Sequence, residues 1–177
     1  PETYSFFRGD SRDSLIKQAE EAMNSALSEI WENRDATVPV KNERELLTLA
    51  SIVEKETGVA EERPLVASVF VNRLRKGMRL QTDPTVIYAL TGGKTELERA
   101  LTKKDLLIDN PYNTYKYYGL PPAPICNPGR AALAATAHPE ISNYLYFVAD
   151  GAGGHNFAAS LNEHNRNVSS WKKQRQK

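Results

Sequence analysis

The chain has 177 residues and a mass of 19.8 kDa, enough to bury one core without covalent staples. Hydrophobic residues make up 40% and charged residues 25%, and 23 basic against 22 acidic side chains leave a formal charge of +1. That balance excludes an acidic disordered chain and speaks against a dedicated nucleic-acid binder. A single cysteine, Cys126, excludes an internal disulfide and a multi-cysteine metal site.

No run of about 18 apolar residues is present, so the sequence predicts no membrane-spanning helix, and there is no signal-peptide pattern. The opening at Pro1 instead of Met reads as a piece of a longer protein. In chain order, residues 1–10 read as an extended aromatic lead-in. From Leu15 to Trp31 the apolar residues recur at helical spacing, with Asp10 or Ser11 as cap. A second helix is predicted from Glu43 to near Gly58, with Asn42 as N-cap and Glu45 completing a capping box. A third covers about 62–76, buried along Val66, Val69, Phe70 and Leu74 and ended by Gly77. Asp83-Pro84 opens a short helix that stops at Gly92-Gly93, with Asp83 as the expected N-cap. Thr102 and Asp105 frame a helical turn. Residues 109–129, rich in Pro, Gly and Tyr, read as a long ordered loop. Asn127-Pro128 opens a helix that His138-Pro139 closes. The segment 144–150, YLYFVAD, is the clearest strand, GAGG a turn, and HNF its return partner. Ser160 and Glu163 cap a last helix that fades into a basic, solvated tail. The fold class is α+β: one mostly helical domain over 1–177 with a small antiparallel hairpin.

The chemistry centres on LLTLASIVEKET at 46–57. At about 100° per residue, Glu54 and Glu56 fall on opposite flanks of the apolar stripe and Lys55 points away. A carboxyl at the border of core and solvent is partly desolvated, which raises its pKa toward what a general acid needs. Helix-surface acids paired with a base satisfy the same pattern. His138, His155 and His164 lack ligand spacing, so no metal and no cofactor is expected. Cys126 has no evident base and reads as a packed side chain. GAGGHNF reads as a hairpin turn, not a phosphate loop. Tyr112, Asn113, Tyr115, Tyr117 and Tyr118 form an aromatic loop suited to stacking on sugars, about half of it expected to be structural. Gln81 is a ligand candidate. Asp83 is expected to cap first and to contact substrate second. Arg73 is placed to pair with Glu54 or to meet an anionic substrate.

The succession LASIVEKET, ASVFVNRL, MRLQTDPTVIY, PYNTY with GLPPAPICNPG, TAHPE and YLYFVADGAGGHNF with LNEHN resembles the YceG-like family over nearly the whole chain. The resemblance implies a lysozyme-like helical core with a cleft. It implies a lytic transglycosylase that cuts peptidoglycan within its strands, between N-acetylmuramic acid and N-acetylglucosamine, and leaves 1,6-anhydro ends. By the same resemblance Glu56 is catalytic, serving as acid and then base, while Glu54 supports it or the fold. The resemblance further implies that Gln81, Asn113, Tyr115 and His155 line that cleft. A hydrolase would need a second carboxylate at a set distance, and Asp83 is the only attractive partner. The resemblance further implies a membrane helix and a LysM-like segment ahead of this part, and a location on the outer face of the plasma membrane. Peptidoglycan glycan strands are the expected partner, with peptidoglycan synthases beside them and a monomeric chain. A wall-binding module without activity and a lysozyme-type hydrolase are the alternatives.

Overall fold

The computed structural model describes residues 3–174. Helix α1 spans Arg12–Glu32, and the Ser11 hydroxyl accepts the Ser14 N–H at its start. Helix α2 spans Glu43–Glu56, with the Asn42 side chain accepting from the Glu45 N–H. Glu45 reaches back one residue beyond the cap, to the Lys41 N–H at 2.8 Å, so the reciprocal box is present in a lengthened form. A 3-10 turn at Ala60–Glu62 leads into α3, Arg63–Arg75. Helix α4 spans Asp83–Thr91 and ends on Gly92 in the left-handed region at φ 63°, where a residue without Cβ is favoured. A second 3-10 turn covers Asp105–Leu107. Thr102 and Asp105 bond each other's N–H groups there, as their spacing predicts. Helix α5 spans Arg130–Ala137. Strands β1, Tyr146–Ala149, and β2, His155–Ala158, pair antiparallel with Tyr146 opposite Ala158. Helix α6 spans Leu161–Gln174, with the Ser160 hydroxyl accepting the Glu163 N–H and Glu163 reaching back to the Ala159 N–H.

The core is built around α2, whose Leu46, Leu49, Ile52 and Val53 are fully buried and which packs on α1, α3, α4 and α5. Helix α3 departs from the expected single stripe. Every residue from Val66 to Val71 is buried, because α5 covers one side and β1 lies against another, while Leu74 is half-buried. The Phe70 ring meets Phe147 of β1 edge-on at 5.9 Å and joins the hairpin to the helical core.

Three boundaries move from their predicted places. Helix α5 begins at Arg130, two residues after Pro128, with Gly129 at the cap. Strand β1 begins at Tyr146, because the N–H of Leu145 bonds Ala158 before the ladder becomes regular. Asp83 is not the N-cap of α4: that position belongs to Thr82, in extended conformation, and Asp83 is the first helical residue. No helix among the described residues is long and apolar enough to cross a membrane. The first half of the basic tail, Lys172–Gln174, is helical, and 175–177 lie outside the described residues, as do residues 1 and 2.

Candidate active site

Glu56 is the last residue of α2, so its side chain leaves the helix where the helix stops covering it. It projects into a cavity of about 380 Å³ walled by Phe70 and Arg73 of α3, Leu80 and Gln81, Asp83 of α4, Tyr115, Tyr146 and Phe147 of β1, and Leu161 and His164 of α6. Burial pushes its carboxyl up, and the neighbouring Asp83 charge pushes the same way. The Thr82 hydroxyl, which donates to Oε1, opposes both, as do the charges of His155 and Arg73. Burial wins, and the pKa stands at about 7. A carboxyl so poised holds its proton near neutrality and can still release it.

Thr82 explains why its own helix lacks a side-chain cap. Its hydroxyl is turned to Glu56 in place of the α4 N-terminus. Its N–H donates to Thr114 Oγ1 at 3.1 Å, and its carbonyl accepts from Thr85 Oγ1 at 2.7 Å. Thr85 and Thr114 join at 2.8 Å, so three buried threonines hold the hydroxyl that touches the acid. Gln81, exposed at the rim, has φ 50°, and its N–H is fixed to the Thr114 carbonyl. A non-glycine residue in the left-handed region is uncommon and marks a segment bent to serve its neighbours.

The freedom of Asp83 from capping places its carboxylate in the cleft, where Oδ1 accepts the Tyr115 hydroxyl at 2.5 Å. Burial and Asp83 hold the Tyr115 phenol well above its usual range, so it stays a donor. Arg73 does not pair with Glu54. Its Nε donates to the Leu145 carbonyl at 2.6 Å and its Nη1 to the Leu80 carbonyl at 2.8 Å, which ties β1 and the 80–83 segment to α3. The guanidinium still lines the cleft and carries positive charge toward Glu56.

Glu54 sits on the other flank of α2, half-buried, and its Oε2 accepts the Gly129 N–H at 3.1 Å. It docks the start of α5, where a negative charge also suits the helix dipole. Asn113, expected in the cleft wall, is fully buried outside it. Its amide donates to the Leu106 and Ile108 carbonyls and accepts from the Tyr115 N–H, so it shapes the loop that carries Tyr115. His155 lies behind the wall, edge-on to Phe147 at 5.3 Å. Its Nδ1 pairs with Glu62 Oε2 at 2.7 Å, and its N–H donates to Glu62 Oε1. Of the aromatic loop, Tyr112 packs on Tyr88 at 4.7 Å, while Tyr117 and Tyr118 are exposed away from the cleft. Cys126 donates to the Ser51 carbonyl, and burial raises its thiol to about 11, far from a nucleophile. Among the described residues no three His, Cys, Asp or Glu side chains converge as metal ligands.

Sequence reasoning missed Thr82, Tyr146, Phe147, Leu161 and His164. The only advance signal was that the HNF and LNEHN segments stand in the same motif. Nothing local says that α6 folds back over the hairpin.

Fold and cleft together define a helical α+β domain with one sheltered carboxyl at the base of a polar groove. The chain belongs to the YceG-like family: the family's sequence profile matches residues 1–170. It is 43% identical over 171 residues to the endolytic murein transglycosylase of Bacillus subtilis (strain 168), covering 94% of this chain and 45% of that protein. It is 40% identical over 174 residues to the endolytic murein transglycosylase of Streptococcus pneumoniae serotype 2 (strain D39), covering 95% of this chain and 30% of that one. A crystal structure of a yceG-like protein from Listeria monocytogenes superposes with a TM-score of 0.81 at 42% identity, over 94% of this chain and 53% of that chain. The chain thus spans less than half the length of the curated relatives it matches.

Proposed function

We propose that this chain is the catalytic domain of an endolytic peptidoglycan lytic transglycosylase, with Glu56 as its single acid and base. The observation that carries the reading is the Glu56 carboxyl, sheltered in the cleft with a pKa of about 7. Protonated Glu56 gives its proton to the oxygen that links C1 of N-acetylmuramic acid to N-acetylglucosamine. The C1–O bond breaks, and the N-acetylglucosamine side leaves as an alcohol. The Glu56 carboxylate then takes the proton from the muramyl C6 hydroxyl as that oxygen bonds C1 and closes the 1,6-anhydro ring. Glu56 ends as it began, and no water is consumed.

Positive charge gathers at C1 and the ring oxygen as the bond breaks, and the Asp83 carboxylate, held by Tyr115, stabilises it electrostatically. Arg73 favours the carboxylate form of Glu56 after donation. Gln81, at the rim, is a hydrogen-bonding contact for hydroxyl or acetamido groups. Glu54, Asn113 and His155 serve the frame around the cleft.

One observation favours a second reading. Asp83 has no capping task and shares the cleft with Glu56, so a two-carboxylate hydrolysis of lysozyme type is chemically available. The same reading sets the chain at the cell envelope, on the outer face of the plasma membrane where peptidoglycan lies. A preceding membrane helix, a monomeric state and contact with peptidoglycan synthases belong to the proposal through the family alone.

The test is digestion of purified glycan strands by the parent chain and by Glu56→Gln, with product ends read by mass spectrometry. Internal cutting to anhydro ends by the parent, and none by the variant, is the expected result. Reducing ends support the hydrolase. Binding without cutting by both proteins reduces the domain to a wall-binding module.

A further inference from the structure

His164 is the imidazole that lines the cleft, and the mechanism above gives it no task. It stands one turn after Leu161 on α6, and both line the cavity that holds Glu56. Its ring stacks on Tyr146 at 5.2 Å with 24° between planes, and Tyr146 lies 5.1 Å from the Arg73 guanidinium. The imidazole is therefore packed on Tyr146, beside a guanidinium that is fixed to the Leu145 and Leu80 carbonyls. Its Nδ1 is buried and has no hydrogen-bond partner among the described residues. Nδ1 is thus closed off as well as unpaired, and a ligand in the cavity can meet the ring's polar edge only at Nε2.

Nδ1 has no acceptor beside it to hold a proton, so the ring proton belongs on Nε2, the nitrogen of this cavity-lining ring that is not closed off. Burial and the Arg73 charge both disfavour a second proton. The result is a neutral, pre-aimed N–H donor on the wall of the groove, with a rigid apolar face beside it.

We propose that His164 is a substrate-binding residue that donates a hydrogen bond from Nε2 to an oxygen of an N-acetyl sugar in the Glu56 cleft. This rests on the glycan-cleaving reading and adds to it a specific contact on the α6 wall. The contact holds substrate and transition state alike, so its loss raises KM and leaves kcat nearly unchanged.

The test is binding of a soluble, peptide-free glycan of alternating N-acetylglucosamine and N-acetylmuramic acid, in a Glu56→Gln background that leaves it uncut. His164→Phe keeps an aromatic ring on Tyr146 and removes the donor. It is expected to weaken binding about five- to tenfold, as one lost hydrogen bond does, while His164→Gln restores most of the affinity. In the active enzyme the same pair is expected to separate in KM and to agree in kcat. Histidine-selective nitrogen NMR supplies a readout without substitution at 164: the His164 ring resonances move on saturation with glycan. Equal affinity for His164→Phe, or ring resonances that stay put at saturation, overturns the proposal. Absence of any glycan binding by the Glu56→Gln parent overturns the proposal and the functional reading together, which separates the two failures.

Discussion

Glu56 lies between opposing influences: burial and Asp83 favour its neutral form, while Thr82, His155 and Arg73 favour its charged form. The proposed reaction needs the protonated form first, so the cutting rate is expected to fall about tenfold per pH unit above 7, read from initial rates on glycan strands. Asp83 contributes to that position. Asp83→Asn removes a like charge, eases ionisation of Glu56, and is expected to move the alkaline limb of the rate profile to lower pH. A limb that stays in place shows that burial alone sets the acid. The same shift has a stability consequence. Burial pushes the folded carboxyl up to about 7, against 4.5 for the free side chain. Between those values the folded chain holds a proton that the unfolded chain has lost. The stability tied to that proton is complete below 4.5 and is lost as pH rises through 7. Glu56→Gln removes the dependence, so thermal melts are expected to favour the variant increasingly from pH 5 to pH 8.

At the scale of elements, two contacts brace the frame around the cleft. Glu54 ties the end of α2 to the start of α5 through the Gly129 N–H. Glu54→Ala is expected to lose about 1–2 kcal/mol in denaturant unfolding and to keep measurable cutting activity. Glu62 ties the 3-10 turn before α3 to the hairpin through His155. A Cβ on Gly154 would come within 2.6 Å of Glu62 Oε1, so the turn is closed tightly over that carboxylate. Glu62→Ala is expected to cost about 1.5–3 kcal/mol and to raise exchange at the β1–β2 amides, read by hydrogen exchange. The helices were legible because their apolar period and caps are local: Ser11, Asn42 and Ser160 all cap as their neighbours suggest. Asp83-Pro84 misled because the cap rule assumes a side chain free to serve its own helix. Thr82 occupies the cap and gives its hydroxyl to Glu56. A local rule broken beside a reacting group is where function outweighs propensity.

At the scale of the molecule, the cleft draws its wall from α2, α3, the 80–83 segment, the Tyr115 loop, β1 and α6, which span residues 56 to 164. Glu56 and Glu54 could be seen at the border of α2 from periodicity, but not which of them faces a groove. That choice needs α5 on one flank and the hairpin with α6 on the other. His155 and Asn113 had the right chemistry for sugar contact and yet serve the frame, because their partners Glu62, Leu106 and Ile108 were invisible as neighbours. His164 was dismissed as a metal ligand and surfaces in the cleft only when α6 packs on β1. The central claim is that the linkage is opened by the sugar's own hydroxyl, with one carboxyl moving the proton both ways. Digestion of glycan strands in water enriched in oxygen-18 tests it most directly. The account requires new muramyl ends that are anhydro and carry no label. New reducing ends with one labelled oxygen would contradict it and make Asp83 a partner in hydrolysis.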